Sequence, residues 1–173
     1  MEVDYGECIR NCLIGMGVIV AIVSVAAARS TAKKKQTADL LFASRSDDRL
    51  QRGYDYISEY SNKEDKNIGA LAFSGSLSDA EASGDESVKL KAQHADAIRY
   101  VMNHFEAVSV GIDAGIYDEV MLKKSWCSIV LQTFERTQPL IAAMRRKQQK
   151  DTILQEFEAM AARWKRKPLK RRG

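Results

Sequence analysis

The pattern of apolar and polar positions changes character once along this chain. From Cys12 to Ala28 the run CLIGMGVIVAIVSVAAA carries no charge over 17 residues, and Ser24 is almost its only polar interruption. A helix of that length spans roughly 25 Å, slightly under the ~30 Å hydrocarbon core of a bilayer. Arg10 and Arg29 flank the run and can snorkel to close the mismatch. The pattern predicts a transmembrane helix over 12–28. A signal peptide would carry a similar run, with Ala26–Ala28 as a small-residue cleavage site. It would open on basic residues, however, and here Glu2, Asp4 and Glu7 outnumber Arg10. A buried core helix would keep a polar stripe, which this run lacks.

Beyond residue 36 the apolar positions recur at helical spacing. Leu50, Tyr54, Ile57 and Tyr60 mark one helix, with Ser46-Asp47 placed as its N-cap. Asn62–Asn67 reads as a polar turn and NIGALA, Asn67–Ala72, as a short apolar element. Residues 74–87, within SGSLSDAEASGDES, are poor in apolar surface and read as a flexible loop. His94, Ile98, Met102, Phe105, Val108 and Ile112 then form one face of the longest helix, widened by Val101. Gly115 ends that helix, Ile116 is expected to fold onto its last turn, and Asp118 caps the next, with Glu119 beside its positive end. Val120, Cys127, Val130, Leu131 and Phe134 are expected to face inward on this second arm, with Trp126 at the edge. Pro139 is expected to start a further helix carrying Leu140, Ile141 and Met144. Asp151-Thr152 reads as the cap of a last helix with Ile153, Leu154, Phe157, Met160, Ala161 and Trp164.

The predicted fold is therefore all-α: a single N-terminal transmembrane helix followed by an antiparallel bundle of four to five helices. Residues 1–11 form a short extracytoplasmic N-terminus, 29–46 a basic juxtamembrane connector, 47–164 the cytoplasmic domain and 165–173 a basic tail. Composition agrees, at 45% hydrophobic and 29% charged with only two prolines. Orientation follows from Arg29, Lys33, Lys34 and Lys35 after the span against Arg10 before it, because basic flanks stay cytoplasmic. The expected location is the inner, cytoplasmic membrane, with one pass, the N-terminus outside and the bulk of the chain in the cytoplasm. Gly17, Ala21, Ser24 and Ala28 place small residues on one side of the span, a spacing that lets two copies pack closely. Cys8 and Cys12, one helical turn apart, read as unpaired cysteines that an apolar setting tolerates.

Charge is unevenly placed. Residues 139–173 carry a net +8 and residues 1–138 a net −4. The last stretch, KRKPLKRR, holds Lys165, Arg166, Lys167, Lys170, Arg171 and Arg172. Together with Lys33, Lys34 and Lys35 these are candidates for contact with anionic lipid. Nucleic acid is not expected as a partner, since no aromatic residues interleave the basic ones.

Site chemistry is sparse. The sequence contains no HExxH, GxSxG, Walker or dinucleotide-binding motif, and no metal or cofactor is expected. His94 falls on an apolar face, His104 points elsewhere, and Cys127 sits in a core stripe. Asn103, Glu106 and Asp113 lie off the apolar face of the long helix. Glu106 is the one carboxylate around which an acid–base site is conceivable, and its expected role is to tie helices together.

The stretch Arg99–Trp126 resembles a domain-of-unknown-function family of bacterial and phage proteins. The resemblance rests on Asn103 and Glu106 in an N-x-x-E turn, on Gly115, Ile116, Asp118 and Glu119 in a GI-x-DE corner, and on the closing EFEAMAARW, Glu156–Trp164. NIGALA is similar to the family's short apolar element. The resemblance implies a membrane span followed by a helical cytoplasmic domain, and carries over no catalytic residue. Three functions follow as expectations: a membrane-anchored module that binds a protein partner or itself, an interference protein such as a superinfection-exclusion factor or membrane-acting toxin, and an enzyme with a carboxylate site. Asn103, Glu106, Gly115, Asp118, Glu119, Trp126 and Trp164 are the residues singled out.

Overall fold

A computed structural model describes residues 5–62 and 67–169. The side chains of Cys8 and Cys12, most of the polar turn after Asn62, and Lys170, Arg171 and Arg172 lie outside the described residues. Helix α1, Tyr5–Arg45, is continuous over 41 residues, so the apolar run and the basic connector are one rod. No residue between 13 and 32 is buried, and Leu13, Ile14, Val18, Ile19, Ile22 and Val23 are each more than half exposed. The first residues of α1 to be buried by the rest of the chain are Thr37 and Leu41.

Five further helices build the bundle: α2 (Asp48–Asn62), α3 (Leu77–Ser83), α4 (Glu86–Asp113), α5 (Glu119–Gln148) and α6 (Gln155–Arg166), with a 3-10 turn at Ile68–Phe73. The described residues contain no strand. α4 is the axis. Its stripe from His94 to Ile112 is buried throughout, and it packs chiefly on α2 and α6. Gly53 of α2 makes the α2–α4 approach possible, since a Cβ there would lie 2.6 Å from the Ala97 carbonyl oxygen. Asp47 caps α2 by accepting from the amides of Arg49 and Leu50, and its other oxygen accepts from the Tyr100 hydroxyl of α4 at 2.8 Å. The NIGALA element forms the 3-10 turn, buries Ile68, Leu71 and Ala72, and packs on α5. Its last carbonyls are taken by Arg99 from α4 and Lys147 from α5.

The structure departs from the sequence reading at several places. Residues 77–83 of the expected flexible loop are helix α3, because Ser76 caps its start, Gly84 ends it in the left-handed region and Ala80 is buried. Asp85 then caps α4. Pro139 does not start a helix but lies inside α5. The carbonyl it leaves without a donor belongs to Glu135, and both residues are exposed, so water can satisfy it. Val120 faces solvent at 63% exposure, while Leu122 is fully buried in its place. Asp151-Thr152 does not cap α6. The chain instead turns through Leu154 in the left-handed region (φ 57°), with its side chain buried, and α6 receives its cap from elsewhere in the bundle.

Candidate functional site

The features that the sequence singled out converge on one end of the bundle. α4 stops in a Schellman motif: the Gly115 amide donates to Ile112 and the Ile116 amide to Gly111, both at 2.9 Å. Gly115 provides the required positive φ of 74°. Tyr117, rather than Ile116, covers the last turn. Its ring occupies the space that a Cβ on Gly111 would need, at 2.4 Å, while Ile116 stays 46% exposed.

Asp118 does two jobs at this corner. Its carboxylate accepts from the Met121 amide and so caps α5. Its own amide donates to Thr37 Oγ1 of α1 at 2.8 Å. Thr37 is fully buried and donates in turn to the Lys33 carbonyl. The rod is thereby pinned to the corner by a buried hydroxyl, one turn past the lysine cluster.

Glu119 closes the same end onto α6. Its Oε1 accepts from Trp164 Nε1 and from Arg163 Nε, each at 2.8 Å. Arg163 also reaches Asp113 at the end of α4. Burial pushes the Glu119 carboxyl up, but the hydrogen bonds from Arg163 and Trp164, with the charges of Arg163 and Lys123, outweigh it and hold it below the usual carboxylate value. Trp164 itself is fully buried. One turn into α5, Lys123 donates to the Lys167 carbonyl just past α6.

Glu106 lies earlier on α4, half-buried, where α6 begins. Its two oxygens accept from the amides of Phe157 (2.6 Å) and Glu156 (3.3 Å). It is the N-terminal cap that α6 lacks locally, with its charge at the positive end of the helix dipole. Ser109 adds a bond to the Glu156 carbonyl. Trp126 is half-buried against Phe105 and His104, away from the corner, and Asn103 is exposed. Thr37, Ser109, Tyr117 and Arg163 were not singled out by sequence reasoning. Only Arg163, inside the closing EFEAMAARW stretch, carried a signal that could have found it.

These contacts also fix direction. Glu106 and Ser109 meet Glu156, and Asp113 meets Arg163, so α4 and α6 run the same way. Asp118 meets Thr37 and Tyr100 meets Asp47, so α1 runs opposite to them. The apolar rod, the corner and the end of α6 therefore share one pole of the bundle.

Among the described residues no group of His, Cys, Asp and Glu could hold a metal ion. Residues 11–164 match the family described as domain of unknown function (DUF4760). The chain belongs to the DUF4760 family. No curated protein and no solved structure matches it. The matched range takes in the whole apolar run as well as the bundle, and ends on Trp164. In this DUF4760 chain the residues behind the resemblance therefore include the contacts that tie α1, α4, α5 and α6 together at one pole.

One titratable group sits apart. His104 is half-buried between Phe105 and Trp126, and its Nε2 is buried without a hydrogen-bond partner among the described residues. Burial pushes its pKa below the ordinary 6.5, against the opposing pull of Asp47. A folded-state pKa below the unfolded one means that the unfolded chain binds the proton first. Stability should hold above about pH 7 and decline as pH falls below about 6.5. The urea midpoint of the detergent-solubilised protein should be lower at pH 5.5 than at pH 7.5 by about the amount that His104→Gln removes. Equal pH dependence in the variant would refute this. A second decline, from Glu119 and Asp47, whose carboxyls are both lowered, belongs to the carboxylate range below about pH 4.5.

Proposed function

We propose that this chain is a single-pass membrane protein whose helical bundle stands on the cytoplasmic side and serves as an interaction module for a protein partner or a second copy. The observation that carries the reading is α1. Its half from Leu13 to Ala28 is apolar on every side and touched by nothing else in the chain, yet it continues unbroken into a buried pin at Thr37. Each Leu, Ile or Val left in water forgoes about 1.5–3 kcal/mol. A lipid interior removes that cost, and the helix satisfies its own backbone groups there. The basic residues following the run support a cytoplasmic bundle.

Two exposed surfaces support binding. The small-residue side of the rod, with Gly17, Ala21, Ser24 and Ala28, is open along its length. At the opposite pole a groove of about 650 Å³ lies between the 3-10 turn and the start of α4, and Phe73, Val88 and Leu90 line it while remaining exposed.

The test is alkaline carbonate extraction of membranes combined with protease treatment of sealed inverted vesicles. The protein should stay in the pellet, and protease should cleave the bundle without detergent. Release into the supernatant would remove the span, and protection of the bundle would reverse the orientation.

A further inference from the structure

We propose that the pole from which α1 emerges is a basic collar that seats on the anionic lipid leaflet through three separate parts of the chain. This rests on the reading of α1 as a span. From α1 come Lys34 and Lys35, both exposed. Lys124 is exposed in the first turns of α5, beside Lys123. The end of α6 adds Lys165, Arg166 and Lys167, also exposed.

Sequence separates Lys34 from Lys167 by 133 positions, and the fold gathers them. α6 runs parallel to α4, so its basic end is delivered to the corner rather than to the far pole. The Lys123 bond to the Lys167 carbonyl holds the exit of the tail beside α5. Acidic residues are present at the same pole but are mostly committed. Glu119 and Asp113 are paired with Arg163, and Asp118 caps α5, which leaves Asp39 of α1 as the exposed exception.

Distance also fits. Thr37 lies eight residues past Arg29, roughly 12 Å along the helix. A headgroup layer is about 5–7 Å thick beyond the hydrocarbon edge. The corner then stands within about one Debye length, ~8 Å at physiological salt, of the leaflet charge. Ile116 and Val120, exposed at the same corner, give the collar an apolar component.

The experiment is amine footprinting of the full-length protein reconstituted in phosphatidylcholine vesicles with or without 30% phosphatidylglycerol. Lys124, Lys165 and Lys167 report on the collar, with Lys91 and Lys150, exposed on other parts of the fold, as internal controls. A surface potential of about −30 mV alone slows acylation about threefold by keeping amines protonated, and seating adds occlusion. The expected result is slowing of the three collar lysines by threefold or more in anionic vesicles only, lost in 1 M salt, with Lys91 and Lys150 unchanged. If the protein co-floats with both vesicle types and collar and control lysines behave alike, the collar is overturned and the span stands. If it floats only with anionic vesicles and salt releases it, the collar stands and the span falls. Flotation with neither removes both. Equal protection by duplex DNA added to the zwitterionic vesicles would overturn the leaflet as the collar's partner.

Discussion

Trp164→Ala should lower the stability of the bundle by about 3–5 kcal/mol, the cost of truncating a large, fully buried aromatic side chain. Trp164 has no exposed surface, and its indole N–H is one of the two donors on Glu119 Oε1. Removing it opens a cavity between α6 and the α4–α5 corner and leaves Glu119 with Arg163 alone. The measurement is urea unfolding of the full-length protein in mild detergent, followed by helical circular dichroism. Trp164→Phe keeps most of the packing and should lose less. A loss below about 1 kcal/mol in the alanine variant would mean that α6 does not close this end of the core.

Glu106→Ala should cost about 2–3 kcal/mol, because hydrogen bonds to a charged group are worth more than neutral ones and two are lost together. The local sequence provides no substitute: Leu154, the residue before α6, has no side-chain acceptor. Amide exchange at Glu156 and Phe157 should accelerate in the variant, while exchange on α2 changes little. Glu106→Gln retains one acceptor oxygen and should recover part of the loss. Unchanged exchange at those two amides would dissociate Glu106 from the start of α6.

What the sequence made legible was local. The stripe on α4, the Gly115 stop, the Asp118 and Asp47 caps and the apolar 3-10 element all follow from short-range rules of spacing and backbone geometry, and the structure contains each. The parts that escaped depend on neighbours distant in sequence. Pro139 looked like a helix start because Pro fits one, yet the exposed side of α5 tolerates the missing bond. Val120 is exposed and Leu122 buried because the side of α5 that meets the bundle is set by its neighbours and not by its own first turn. The cap of α6 comes from a residue some fifty positions earlier, and Asp151-Thr152, the local candidate, is not used. Glu106 was visible as a polar position off an apolar face and Glu119 as a charge at the start of a helix, but only the path of α6 shows what they hold.

The uninterrupted helix from Tyr5 to Arg45 has a mechanical consequence. With no break between the apolar half and the bundle, and with Thr37 bonded to the corner, the rod is one continuous element about 60 Å long. If the proposed span holds, a tilt or rotation imposed on the apolar half would swing the distant groove around Phe73 through the same angle.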